Sequence, residues 1–364
     1  MVRLPARREL VLPCKSLWAL ALLCCLGLAQ NAPNPKNDAV GYLNRALDEI
    51  QNRALHRSTV DWPRVRAEAL SRAKNAKTPV DTYDAIRFAL AGLKDHHSSL
   101  LLTPALESLE AQRNPHRVAP KAPPPTAASS PYSTRSSPEG RIEKQDGKIF
   151  GLVVVPKCAS QNDQQSVEYE TRLQRVIADL DRSHPKAWVI DLRGNGGANV
   201  WPMLAGIAPL LGESDNLVQF LTTRGRSVWR YRNGAATEIV NGNEVSHPAV
   251  EGSPHIVQGN PTVAVLIDSG TAVAGEALAI AFRARPNTRF FGEYTAGRST
   301  VSETVALPDG ASMSLIIGIQ ADRTGKEYLD GLGPDELIPG ADRVVADADD
   351  QALQSALWWL SHLP

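Results

Sequence analysis

The chain has 364 residues, 39 Lys+Arg against 39 Asp+Glu, and a formal charge of zero. That balance excludes a nucleic-acid binder, which needs a basic excess to release phosphate counterions, and 43% hydrophobic against 21% charged residues excludes a disordered polyelectrolyte. Four cysteines exclude a disulfide scaffold, and the length accommodates one large domain or two ordinary ones.

Residues 1–29 have the anatomy of a secretory signal peptide. Arg3, Arg7, Arg8 and Lys15 precede an apolar run from Leu17 to Leu28, and Gly27 and Ala29 supply the small residues of a cleavage site after Ala29. The apolar run, about a dozen residues, is short for a bilayer span, so no membrane span is expected after cleavage. Leu22 and Leu23 before Cys24 disfavour lipidation there or at Cys25. Cleavage would leave 35 basic against 38 acidic residues, a net charge of −3, and Cys158 as the lone cysteine. Export predicts a periplasmic or secreted protein.

Residues 30–104 read as an N-terminal helical unit. Val40, Leu43, Leu47, Ile50 and Ala54 recur at three- and four-residue steps. Asp61 before Trp62-Pro63 reads as an N-cap, and Thr78-Pro79-Val80-Asp81 as a cap with proline at the first helical position. The third helix follows with Tyr83, Ile86, Leu90 and Leu93 on one side. Residues 105–147 read as a loop or linker, because seven prolines fall between 115 and 138 among Ala, Ser and Thr. From 148 to 364 the pattern changes to α/β. The runs Ile149–Val155, Ala187–Leu192, Leu217–Thr222, Thr262–Ile267 and Ser312–Ile319 predict strands, and Val167–Leu180, Ala272–Arg283 and the last dozen residues predict helices.

Three segments carry chemistry. Asp95-His96-His97-Ser98 closes the helical unit, with His97 a candidate base. Asp191-Leu192-Arg193-Gly194-Asn195-Gly196-Gly197 follows a strand, where glycines let backbone N–H groups approach an oxyanion; the other reading is a tight turn with a buried Asp191–Arg193 pair. The run lacks phosphate-loop spacing and lysine, so no nucleotide is expected, nor any other cofactor or metal. Thr271-Ala272-Val273-Ala274-Gly275-Glu276 joins a strand to a helix as an elbow, the kind of turn that exposes a nucleophile.

Together these segments resemble the tail-specific, or C-terminal processing, serine peptidase family, tricorn-type enzymes included. Further matches follow in family order: Phe291-Gly292-Glu293-Tyr294-Thr295-Ala296-Gly297, Leu307-Pro308-Asp309-Gly310, Asp322-Arg323-Thr324-Gly325 and Gly333-Pro334-Asp335. The resemblance implies a crotonase-like α/β core with a helical N-terminal unit, acting on peptides or unfolded protein segments. Only about fifty residues separate the histidine segment from the core, at the bottom of the domain size range, so no PDZ insert is expected. The family's nucleophilic serine aligns with Val273, which has no lone pair to attack a carbonyl, so hydrolysis is expected to be impaired. Ser269 and Thr271 are the nearest substitute hydroxyls. The resemblance places the oxyanion hole at the amides of Gly197 and Ala274, the base at His97, and a distal carboxylate near Glu327 or Asp330. It also places Arg298 where some members carry a lysine base, and a guanidinium does not give up its proton. Two readings stay open: a serine-type peptidase homologue with impaired hydrolysis, and a pseudopeptidase that holds a peptide or apolar ligand in the former cleft.

Overall fold

The computed structural model describes residues 38–113, 130–247, 257, 259–340 and 350–363. The predicted signal peptide and the central part of the proline-rich stretch lie outside these residues.

The helical unit consists of α1 (Ala39–Arg53), α2 (Trp62–Arg72) and α3 (Tyr83–Ala91), joined by 3₁₀ turns at Leu55–Thr59 and Pro79–Thr82. Asp61 caps α2, accepting from the Arg64 amide at 3.3 Å. Asp81 Oδ2 accepts from the Thr78 amide at 2.9 Å, closing the expected cap as a 3₁₀ turn before α3. Leu43, Leu47 and Ile50 are fully buried, but Val40 is 50% exposed and Tyr42 takes its place on the inner face.

The stretch from 105 to 147 is more structured at both ends than its prolines suggest. Its start is α4 (Pro104–Arg113), anchored where Arg87 grips the buried Glu110 carboxylate. Its end is β2 (Glu139–Gln145), which pairs antiparallel with β3 (Lys148–Val154). The connection therefore ends at residue 138, because β2 satisfies its backbone groups on a sheet edge. Among the described residues no PDZ-like unit stands between β1 (Ser99–Leu101) and β2.

The core contains two sheets. One has six strands in the order β13-β10-β9-β4-β3-β2, parallel except for β2. Its central strands are β4 (Ala187–Asp191), β9 (Val263–Ile267) and β10 (Thr288–Gly292), and β13 is the short Glu336–Leu337. Continuous apolar runs suit strands covered on both faces. Ala187 and Val189 pack towards α8 (Gln351–Ser361), while Trp188 and Ile190 face α5 (Asp163–Asp181), α6 (Val200–Leu211) and α7 (Ala274–Phe282). Every described residue of α6 except Trp201 is buried, so this helix shows no polar face by which sequence periodicity could reveal it.

The second sheet is antiparallel, in the order β1-β12-β5-β6-β7-β8, with β11 also pairing β12. Its strands are β5 (Ser214–Thr222), β6 (Gly225–Arg232), β7 (Ala235–Val240), β8 (Asn243–Ser246), β11 (Thr300–Ala306) and β12 (Ser312–Asp322). Val305, Leu307, Met313 and Leu315 carry this sheet into the core of the helical unit. Tyr42 and Tyr83 both donate to the Asp309 carboxylate at the β11–β12 turn, at 2.8 and 2.6 Å. The architecture is thus α/β with a helical N-terminal unit. Among the described residues no helix is long and apolar enough to cross a membrane.

Candidate functional site

Open parallel sheets collect ligand-binding loops beyond the carboxyl ends of their strands. Here those loops follow β4 (192–199), β9 (268–273) and β10 (293–299). The β9 loop is the predicted elbow. Asp268, fully buried at its base, accepts from the amides of Gly194 and Gly270 at 2.9 and 3.0 Å and from Thr271 Oγ1 at 3.1 Å. Ser130 Oγ donates to its other oxygen. Burial raises the Asp268 carboxyl above its ordinary value despite these donors. The turn then lifts Val273 to φ 53°, ψ −111°, with 47% exposure. A β-branched residue avoids such backbone, so the surroundings must enforce it.

Two neighbours do so. An added Cβ on Gly275 would fall on the Asn195 carbonyl oxygen, well inside the 3.0 Å that real Cβ contacts respect, so glycine is required for α7 to start against this loop. Glu276, buried on the first turn of α7, binds both sides of the cleft. Its Oε1 accepts from Thr295 Oγ1 at 2.6 Å and the Gly297 amide at 2.8 Å; its Oε2 accepts from the amides of Arg298 at 2.6 Å and Val273 at 3.2 Å. Burial raises its pKa, opposed by all four donors. Helix-dipole complementarity alone understates this residue: it is the carboxylate that fastens elbow to β10 loop.

The glycine loop closes on the elbow from the other side. Gly197, at φ 103°, comes so near that an added Cβ would sit 2.9 Å from both Ala274 N and Val273 Cβ. Asn195 organises the approach: its carbonyl accepts from the Ala272 amide at 2.9 Å, and its Oδ1 from the Gly197 amide at 3.1 Å. The two residues expected to form an oxyanion hole therefore differ. Ala274 N–H opens α7, where a helix supplies no acceptor of its own, whereas Gly197 N–H is already engaged within its loop. Upstream, the Asp191–Arg193 pair of the tight-turn reading is present. Arg193 is 2% exposed and donates to Asp191 at 2.9 and 2.8 Å, to Asp350 at 2.8 and 2.7 Å, and to the Tyr132 hydroxyl at 3.0 Å. Burial alone would raise the Asp191 carboxyl, but the charges and bonds of Arg193 and Arg135 hold it far below the usual range.

His97 stands at the end of the helical unit. Asp95, buried, accepts from the His97 and Ser98 amides at 3.2 and 2.8 Å and from Ser98 Oγ at 2.6 Å, and Ser98 Oγ in turn accepts from the Ile316 amide of β12. The imidazole Nε2 lies 3.3 Å from Asp330 Oδ1. Asp330 lies two residues before Leu332, whose carbonyl accepts from the Thr295 amide at 3.0 Å and whose amide donates to Thr295 Oγ1 at 2.8 Å. The segment that meets His97 is thus fastened to the same Glu276 that holds the elbow.

Of the two carboxylates named as approximate matches, Asp330 is the one at His97. Glu327 faces His56 instead, 3.5 Å from its Nε2. The reason is the hairpin at the end of β12: Ala321 bridges to Glu327, fixing its register away from His97. Thr271 does not offer a displaced nucleophile either. Its hydroxyl is fully buried, its single proton lying between Leu192 O at 2.9 Å and Asp268 Oδ1 at 3.1 Å, and it accepts from the Asp268 amide at 3.2 Å. Ser269 is half-buried and has an interaction partner of its own. Arg298 is exposed, its backbone held by Glu276. Cys158 is buried, its backbone bridged to Ala198, as a small hydrophobe would be. Among the described residues no three His, Cys, Asp or Glu side chains are grouped as metal ligands.

The family model "Peptidase family S41" matches residues 150–338, which take in the glycine loop, the elbow and the β10 loop. The nisin-resistance protein of Lactococcus lactis subsp. lactis is 23% identical over 297 residues, covering 81% of this chain and 80% of that protein. The carboxy-terminal processing protease CtpA of Bacillus subtilis is 26% identical over 147 residues, 40% of this chain and 27% of that longer protein. In fold the chain is similar to the crystal structure of a candidate peptidase from Parabacteroides merdae, with TM-score 0.50 and 18% identity over 88% of this chain and 96% of that one. With the family model spanning more than half of the sequence, and with its elbow and glycine loop meeting in space, the chain belongs to Peptidase family S41.

Proposed function

We propose that this is an exported S41-family protein that engages peptides or unstructured protein segments in the elbow cleft without forming an acyl-enzyme. The observation that carries this reading is Val273. It occupies the exposed, strained apex where an attacking group belongs, while the neighbouring Thr271 hydroxyl is buried among Leu192 O and the Asp268 amide and carboxylate. A hydrocarbon there cannot add to a carbonyl, and loss of such a nucleophile costs roughly six orders of magnitude in a serine peptidase. The His97–Asp330 pair and the Ala274 amide remain as a base and a donor with nothing to activate. A polypeptide occupant is supported by the Bacillus subtilis relative, whose name refers to carboxy-terminal processing. Export to the periplasm or medium is supported by the basic-then-apolar order of the first 29 residues.

The exposure of Val273 at the elbow and of Tyr294 in the β10 loop, 47% and 61%, also favours a second reading, in which the occupant is a small apolar ligand. The decisive experiment restores the nucleophile. Mature wild type and Val273→Ser are treated with a fluorophosphonate probe and with unstructured labelled peptides. Wild type should bind peptide and stay unlabelled, and Val273→Ser should label. Equal labelling of both would show that another residue attacks, and failure of wild type to bind any peptide while binding an apolar dye would favour the second reading.

A further inference from the structure

We propose that the outer edge of β2 is a self-association surface, on which a second copy of this chain pairs its own β2 antiparallel about a two-fold axis at Ile142. This surface stands apart from the elbow cleft and does not depend on what the cleft holds.

The six-stranded sheet ends at one side on β13, two residues long, and at the other on β2, seven residues long. Among the described residues no strand pairs with the outer edge of β2. The direction of its backbone groups follows from β3. Ile149 O accepts from the Lys186 amide and the Val155 amide donates to Asp191 O, so odd-numbered residues along β3 bond towards β4 and even-numbered ones towards β2. Arg141 and Glu143, opposite Leu152 and Phe150, therefore bond inward. The N–H and C=O groups of Gly140, Ile142 and Lys144 point outward.

Such an edge recruits another strand unless its side chains forbid it. Here they select one partner and one register. With Ile142 opposite its own copy, Gly140 falls opposite Lys144, and each of these outward groups gains a bond. In that register Arg141 lies directly across from Glu143 of the second copy, on the face shared with Leu152, and Glu143 lies across from the copy's Arg141. Arg141 already donates to Glu143 along its own strand at 2.5 Å, so the two pairs close into a ring of alternating charge. The neighbouring bonded registers fail. Centred on Glu143, the pairing sets that carboxylate against itself; centred on Arg141, it sets guanidinium against guanidinium and Glu139 against Glu143. In the favoured register the two six-stranded sheets run on as one. The axis reverses every strand, so the two elbow clefts open at opposite ends of the joint sheet.

Sedimentation equilibrium of the mature protein across micromolar concentrations tests this. Wild type should show a monomer–dimer equilibrium. Glu143→Arg and Arg141→Glu each set like charges across the axis and should weaken the dimer about tenfold. Mixing these two variants restores opposite charges in both cross-strand pairs and should return association to near the wild-type level. Ile142→Pro, which deletes an amide the monomer leaves unpaired in its sheet, should abolish the dimer. A wild type that stays monomeric overturns the proposal. So does a dimer that persists in Ile142→Pro or ignores both charge reversals, or a mixture no more associated than its components.

Discussion

Replacing Gly275 with alanine should cost about 2–4 kcal/mol, although one methyl group is the whole change. The new Cβ would meet the Asn195 backbone oxygen first, and the Asn195 side chain at 3.0 and 3.1 Å. Backbone cannot swing aside as a flexible side chain does, so α7 and the glycine loop must part by roughly 1 Å, an overpacking cost of about 1–3 kcal/mol. That movement also stretches the 2.9 Å bond from the Ala272 amide to the same oxygen, adding about 1 kcal/mol. Gly196→Ala is the control, since an added Cβ there meets nothing within 4 Å and its φ is not positive. Urea unfolding followed by tryptophan fluorescence reads both variants against wild type. A shift of Gly275→Ala no larger than that of Gly196→Ala would refute the reasoning that these two loops are locked by contact.

Arg193→Met should destabilise by about 3–5 kcal/mol at neutral pH, because it leaves the buried Asp350 carboxylate without its cation and Asp191 with Arg135 alone. The Asp191 carboxyl is depressed in the folded state, so its stabilising contribution is present above the ordinary carboxylate range near ~4 and is lost as pH falls through the depressed value. The gap between wild type and Arg193→Met, measured by urea titration across pH, should accordingly narrow in acid; a constant gap contradicts the assignment. Val273→Gly should raise stability by about 1 kcal/mol by relieving backbone that valine resists, and a drop of similar size would show that no strain is held there. Tyr83→Phe should cost about 1–2 kcal/mol by removing the 2.6 Å bond to Asp309, with urea unfolding as the check; no loss would mean Tyr42 alone pins the β11–β12 turn.

Legibility in the sequence followed physical range. The strands of the parallel sheet and the elbow were readable because their signals are local: continuous apolar runs, and a glycine beside a helix start. The glycine run was readable as a turn with an Asp191–Arg193 pair, since those two residues are close in sequence. Asp350, the other half of Arg193's grip, was not, because the partners are 157 positions apart. The choice between Glu327 and Asp330 depended on a hairpin register that no periodicity encodes. The strand Glu139–Gln145 was hidden because its edge position leaves it polar on most of its length. For α6 the opposite held: burial on all sides erased the amphipathic signal.

The interactions that shape the elbow do not depend on the side chain at its apex. Asp268, Gly275, Glu276 and Asn195 hold the turn through buried carboxylates, a close approach and backbone bonds, and none of them uses the side chain at position 273. Removing any of these would leave buried polar groups unpaired or force backbone apart, which costs stability whether or not the protein cleaves anything. Removing the serine hydroxyl leaves an exposed Cβ and no orphaned partner. Family resemblance read from these motifs therefore reports the scaffold, and the reaction must be read from position 273 alone. Restoring serine there should accordingly regain reactivity without a folding defect, whereas a Glu276→Ala variant carrying the same serine should lose both the elbow and the labelling.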